Sequence, residues 1–362
     1  MAAVLLLIDN SRGELVAGAA GARLLHLAVR ERYPDTVRAL LSRGAHFAPG
    51  SSDADDALVL AVHAACPDTL RAVLATGVPL SGSGACNALV AAASMEDKTA
   101  LVELLLDAGV SVNSVAIDYN GITAAHAAAA CGATATLALL LRRGADVNAQ
   151  SKTGRTPLLS AMFHGHFDTV NVLLAQGADP NAGGKMGLRP LHRAMGLGTV
   201  AVATALLDAG ADVAAAADNG STALHMAAMN NEADCAELLL DRGVPIGAAH
   251  AEGLQALHLA AAFYGKSAPD ALCALLRRDA HVHAVDRAGQ QPVHHAAAAL
   301  CEDTLAALLE HGADAGAPDV DGNRPLHLVV TSYAEDAGKV TACADLLLRH
   351  GAPINAADAN GR

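Results

Sequence analysis

The chain is 362 residues long, 52% hydrophobic but only 2% aromatic, without tryptophan, and carries a net charge of −13. That composition fits a core of Ala and Leu between close-packed helices better than a globule anchored by rings. The acidic balance argues against nucleic acid as the main ligand, because phosphate binding needs a basic face.

Seven cysteines (Cys66, Cys86, Cys131, Cys235, Cys273, Cys301 and Cys343) are odd in number, scattered and without a Cys-x-x-Cys pair. Reduced thiols and a cytoplasmic or nuclear location are therefore expected. The apolar start, residues 1–8, has no basic lead and no clear cleavage region, so it is not read as a signal peptide. The uncharged run over residues 121–141 has the length of a membrane span. It is alanine-rich, holds His126, Thr134 and Thr136, and turns at Gly132, so no membrane insertion is expected.

The dominant signal is a period near 33 residues. One glycine series runs Gly121, Gly154, Gly187, Gly220 and Gly253 in steps of 33 and continues at Gly289, Gly322 and Gly361. A second runs Gly44, Gly77, Gly109, Gly144, Gly177, Gly210 and Gly243, then Gly312 and Gly351, with Asp279 in the place between. The second series follows apolar runs such as Val172-Leu173-Leu174 and Leu206-Leu207. It marks helix ends, where the chain turns left-handed and glycine has no Cβ to clash. Asp is among the few other residues that visit that region. The first series precedes Thr156-Pro157, Arg189-Pro190, Thr222-Ala223, Gln291-Pro292 and Arg324-Pro325. These are helix starts, where proline loses no needed donor.

In chain order, residues 1–20 read as the back half of a repeat, with Leu5-Leu6-Leu7 in its second helix. The first complete unit starts near Gly21, carries Leu25-His26 and ends at Gly44. Units two (about 52–83) and three (about 84–118) have drifted. Ala57-Leu58-Val59 and Ala88-Leu89-Val90 lack the histidine found elsewhere, and this end is expected to be less ordered. Asp53, Asp55 and Asp56 lack the spacing of a calcium loop and read as a solvated loop face. Units four to seven, about 119–251, keep strict period. Unit eight carries extra residues around 266–269 and unit ten around 333–340, both between the two helices of their unit. Such insertions have a low entropic cost. Ala359-Asn360-Gly361-Arg362 restart the tip of a further repeat. The last second helix, residues 343–348, shows no polar replacement of the kind that caps repeat arrays. That predicts a segment of a longer protein or, as the alternative, uncapped ends that self-associate.

Pro190-Leu191-His192, Ala223-Leu224-His225, Ala256-Leu257-His258, Pro325-Leu326-His327 and Gly144-Ala145-Asp146-Val147-Asn148 resemble the motifs of the ankyrin-repeat family, over essentially the whole chain. The resemblance implies an all-α ankyrin-repeat solenoid of stacked helix-turn-helix units with short hairpin loops. Residues 1–20 are then a partial repeat, 21–357 an array of about ten units, and 358–362 the truncated start of another. It also implies that His26, His126, His192, His225, His258, His294 and His327 are structural, joining adjacent loops by hydrogen bonds. His166, His311 and His350 sit at helix starts or ends. The remaining cluster, His281, His283, His294 and His295, has no cysteine or carboxylate at a zinc spacing. No metal and no cofactor are expected. No Gly-x-Ser-x-Gly or His-Glu-x-x-His is present, so the chain is not read as an enzyme.

In this family, partners bind a concave face made by the loop tips and the exposed side of the first helices. Stacking sets equivalent positions side by side. One column runs Phe163, Gly196, Met229 and Ala262, with His164, Leu197, Asn230, Phe263 and Tyr264 beside it. Aromatic and Met side chains are enriched in binding hot spots, and Ala and Leu already fill the core slots. The column is therefore expected at the binding surface; the alternative is that its rings fill gaps between helices. The tips Lys152, Thr153, Lys185, Met186, Asp218, Asn219, Glu252, Arg287, Asp319 and Asp321 form a rim, acidic toward the C-terminal end. The expected function is non-catalytic recognition of a partner protein by this face. Alternatives are a targeting or substrate-recruiting segment of a larger enzyme or ubiquitin-ligase adaptor, and a passive scaffold.

Overall fold

Helices of seven to nine residues are too short to persist alone in water, so each must bury its apolar stripe against neighbours. The computed structural model describes residues 19–47, 52–96, 98–116, 119–263, 269–331, 337–359 and 361. Within them, twenty α-helices follow one another as ten antiparallel hairpins, in two compact units, Met1–Asp179 and Pro180–Arg362.

The first unit contains α1 (Ala19–Arg30) with α2 (Pro34–Ser42), α3 (Ser52–His63) with α4 (Pro67–Leu74), and α5 (Ser83–Ala93) with α6 (Thr99–Asp107). It continues with α7 (Ala124–Ala130) and α8 (Thr134–Arg142), then α9 (Pro157–His164) and α10 (Phe167–Ala175). The second contains α11 (Pro190–Gly196) with α12 (Val200–Asp208), α13 (Ala223–Met229) with α14 (Ala233–Asp241), and α15 (Ala256–Ala261) with α16 (Asp270–Arg277). It ends with α17 (Pro292–Ala299) and α18 (Glu302–Glu310), then α19 (Pro325–Thr331) and α20 (Ala337–Arg349). Among the described residues there is no named strand. Isolated antiparallel bridges, Ala116 with Ile122, Ala216 with Thr222 and Ala249 with Gln255, close the loop hairpins.

The punctuation follows the sequence. Pro157, Pro190, Pro292 and Pro325 open helices. The glycines of the second series are left-handed, and Asp279 adopts the same conformation, with φ of 59°. The core is aliphatic and finely divided: Leu89, Leu140, Leu158, Leu257 and Leu275 are buried together with Ala88, Ala128, Ala161, Ala227 and Ala297. Small residues let first helices approach closely. At Gly84 an added Cβ would lie 2.4 Å from Asp55 Cα, so only glycine fits between α3 and α5. All seven cysteines are unpaired. Residues 121–141 form α7, a turn at Gly132 and most of α8, and no described helix is long and apolar enough to cross a membrane.

Two local expectations are corrected. Asp53, Asp55 and Asp56 lie in α3, not in a loop, and Asp55 Oδ2 accepts a hydrogen bond from Ser83 Oγ at 3.1 Å. A carboxylate in the first turn of a helix is favoured by the helix dipole, which is why the acids do not break it. The extra residues of unit ten do not all form a loop. From Ala337 onward they lengthen α20 to 13 residues, where most second helices have eight or nine. Residues 1–18, 264–268 and 332–336, which include Tyr264 and Tyr333, lie outside the described residues.

Candidate protein-binding surface

The tips are fixed from beneath by histidines at the third position of the first helices. His126, His192, His225, His258, His294 and His327 accept the backbone N–H of the residue capping their own helix on Nδ1, at 3.0 to 3.2 Å. With Nδ1 accepting, the ring proton is on Nε2. Nε2 donates to a carbonyl of the following loop: Arg155 for His126 (2.8 Å), Ser221 for His192 (3.1 Å), Leu254 for His225 (3.0 Å) and Ala356 for His327 (2.9 Å). His258 reaches Ala284 (3.0 Å) and Gln290 (3.2 Å), and His294 reaches Ala317 (3.0 Å). Burial lowers the pKa of His126, His192, His225 and His294, and takes His258 to about 4. For His258 the neighbouring His295 acts in the same direction as burial. These rings are neutral struts rather than reactive groups.

Two histidines of the 281–295 cluster have partners of their own. His294 is engaged as a strut, and His295 Nε2 lies 3.0 Å from Asp286 Oδ2. Among the described residues no group of three or more His, Cys, Asp or Glu side chains gathers as a metal site would.

A backbone ladder then sets the tips side by side. In the second unit Asp218 N–H donates to Met186 C=O (3.0 Å), Ala251 to Asn219 (2.8 Å), Arg287 to Glu252 (3.1 Å), Val320 to Ala288 (3.1 Å) and Ala359 to Asp321 (2.9 Å). In the first unit Lys152 N–H donates to Asn120 C=O (3.0 Å). Met186, Asn219 and Glu252 therefore occupy consecutive rungs, Glu252 sharing its rung with Arg287, and all four are exposed. Lys152 and Lys185 are exposed on their own tips.

The first-helix column lies at the ends of these helices. In the first unit Phe163 is 40% exposed and His164 is exposed, its Nδ1 donating to Ser160 C=O at 2.9 Å. In the second unit Leu197 and Met229 are exposed, Met229 at 45%, and Asn230 is exposed with its amide on Met226 C=O at 2.8 Å. Phe263 is half-buried. Gly196 and Asn230 are neighbours, since a Cβ on Gly196 would lie 3.4 Å from Asn230 Nδ2. Phe163 thus stands at the surface, whereas Phe263 is less exposed.

Three contributors escape the column argument. Arg155 lies over the Phe163 ring, 4.5 Å from its centroid, and ties the tip to the end of α9. Val285 and Val320 are exposed in the loops, Val320 at 72%. Val320 falls in register with Lys152, Lys185, Asp218 and Arg287, so the repeat alignment carried the signal, hidden because charged residues hold this position in those units.

This surface offers apolar side chains, mixed charge and a rigid backbone. A family model described as ankyrin repeats in three copies matches residues 58–151, 89–184, 150–217, 191–268 and 257–358, and a single ankyrin-repeat model matches residues 21–51. An ankyrin repeat-containing protein of Schizosaccharomyces pombe is similar, 42% identical over 66 residues, which cover 18% of this chain and 31% of that relative.

Proposed function

Because the chain belongs to the ankyrin-repeat family, whose repeats are protein-binding modules, we propose that it recognises a partner protein without catalysis, through the loop tips and exposed first-helix ends. The observation that carries this reading is the exposure of Phe163, Met186, Leu197 and Met229, while Ala and Leu fill the core. Exposed large apolar side chains rimmed by polar residues mark interaction sites. Histidine struts and the tip ladder hold this surface in place before a partner arrives, so little conformational entropy is lost on docking. Tip acids Asp218, Glu252 and Asp321 favour a partner segment with basic residues in its matching stretch. The reading places the protein in the cytoplasm or nucleus.

A photo-cross-linking amino acid at position 229 is expected to trap a partner in cell extract. The same group at Asp234, on the second helix α14, is expected to trap none. Equal adducts from both positions would contradict the assignment of the face.

A further inference from the structure

Two cations at the tips of the first compact unit stand apart from the other basic residues of the array. Arg71, Arg143, Arg242, Arg277 and Arg278 each pair with a carboxylate. Among the described residues Lys152 and Arg155 form no ion pair. The described tip residues around them, 119–122 and 151–155, include no acid. Arg155 has no charged counterpart either. Its place is held by Ile122, Leu188, Ser221, Leu254, Gln290 and Asn323 in the other repeats from four to ten. A cation there is a feature of this repeat alone, not one that stacking requires.

Both cations are held in position, each close to a ring. Arg155 N–H donates to Ser151 Oγ (3.2 Å), and Arg155 C=O accepts from Ser151 N–H (2.9 Å) and from His126 Nε2 (2.8 Å). Its guanidinium lies 4.5 Å from the centroid of Phe163. A guanidinium stacked on a ring keeps its N–H edge for a planar acceptor such as a carboxylate. Lys152 N–H donates to Asn120 C=O (3.0 Å). Its aliphatic stem lies against Gly121, where an added Cβ would come 3.0 Å from Lys152 Cγ. The side chain therefore runs back over the preceding tip, which exposes Tyr119 at 46%.

The patch thus combines two cations without carboxylate partners and two exposed rings, on backbone that hydrogen bonds already fix. Arg and aromatic side chains are enriched among the residues that dominate binding energy. Cations of this kind steer acidic segments toward the surface and turn basic ones away. The complement is a segment that sets carboxylates beside an apolar side chain.

We propose that the patch of Tyr119, Lys152, Arg155 and Phe163 binds an acidic peptide segment of a partner protein. Asp or Glu carboxylates meet the two cations, and an apolar side chain lies against the rings. The inference rests on the tips being a binding surface, and it adds the chemistry of what they take in the first unit.

A random peptide library displayed on phage tests it, selected on the full chain and counter-selected on a Lys152→Ala, Arg155→Gln variant. Ala251 and Gln290 hold these two places in other repeats, so both substitutions suit the fold, and circular dichroism checks it. Peptides that bind the chain but not the variant are expected to be enriched in Asp and Glu next to an apolar residue. A synthetic peptide of that kind should bind the variant about tenfold more weakly, bind Phe163→Ala more weakly than the unchanged chain, and lose affinity as salt rises. Discriminating peptides without acidic enrichment would overturn the proposal. So would acidic peptides that bind chain and variant alike, or a library that yields no discriminating peptide. The cross-link at position 229 lies in the second unit, so a failure of acidic selectivity here and a failure of partner binding there are read separately.

Discussion

Replacing His258 with alanine is expected to destabilise the second unit by about 3–5 kcal/mol. The side chain is fully buried and holds three backbone groups at once: the Gln255 N–H of its own helix cap, and the carbonyls of Ala284 and Gln290 in the following loop. Truncation leaves that N–H without its acceptor, removes the only ring donor to two carbonyls, and opens a cavity. Each buried group left unpaired costs about 1–3 kcal/mol. Because a repeat array is coupled only between neighbours, the loss should be local. Native-state hydrogen exchange should show faster amides in α15 and α17, with α3 and α5 unchanged. A change below about 1 kcal/mol, within the scatter of a surface substitution, would show that the struts are incidental.

The second large effect is acid sensitivity well above the carboxylate range. An unfolded histidine titrates near 6.5, whereas burial lowers the folded pKa of His126, His192, His225 and His294, and takes His258 to about 4. As pH falls below about 6.5 the unfolded chain therefore takes up protons first, and stability falls. The contribution is fully present above the unfolded value and is lost on the way down to the folded one. For His258 the interval corresponds to about 3 kcal/mol, at about 1.4 kcal/mol per pH unit. A proton on Nδ1 would also confront the Gln255 N–H that this nitrogen accepts. Urea unfolding at about pH 7 and about pH 4.5 should give a clearly lower midpoint at the acid value. His258→Ala should reduce the difference. Equal midpoints would contradict the neutral-strut assignment. Asp319 acts in a lower window. Burial pushes its carboxyl up, but hydrogen bonds from Gln290 and Asn323 hold it below the usual value, so its contribution is lost only as pH falls through the carboxylate range.

Most of the fold was legible because glycine and proline report backbone needs directly. The capping glycines, the opening prolines and the substitute Asp279 each mark a conformation that few residues adopt. The turns between paired helices were less legible. Their left-handed residue is Gly132, Gly165 or Gly198 in some hairpins but Arg32, Ala65, Asn231 or Leu300 in others. At Arg32, Ala65 and Leu300 tertiary packing imposes a conformation that the side chain does not announce. The same holds for Met186, left-handed at φ 63° in the tip 185–187. The lengthened α20 escaped because an insertion in a period says where residues are added, not whether they join a helix.

The candidate surface was legible only as a register. Alignment of repeats placed Phe163, Leu197, Met229 and Asn230 in one class of position, and each is exposed at the end of a first helix. Side-chain partners across the register were not readable. Arg155 and Phe163 are eight positions apart, at opposite ends of α9, and the guanidinium lies over the ring.

The central claim is that the exposed first-helix ends and tips bind a partner protein, and affinity capture from cell lysate tests it most directly. The chain would be compared with Phe163→Ala, Leu197→Ala, Met229→Ala, all three at exposed positions, after circular dichroism confirms equal folding. Each side chain contributes about 1.5–3 kcal/mol when buried by a partner, so the triple variant should lose more than about a hundredfold in affinity. The account predicts that specific proteins held by the chain disappear from the variant. The same proteins captured equally by both would contradict it.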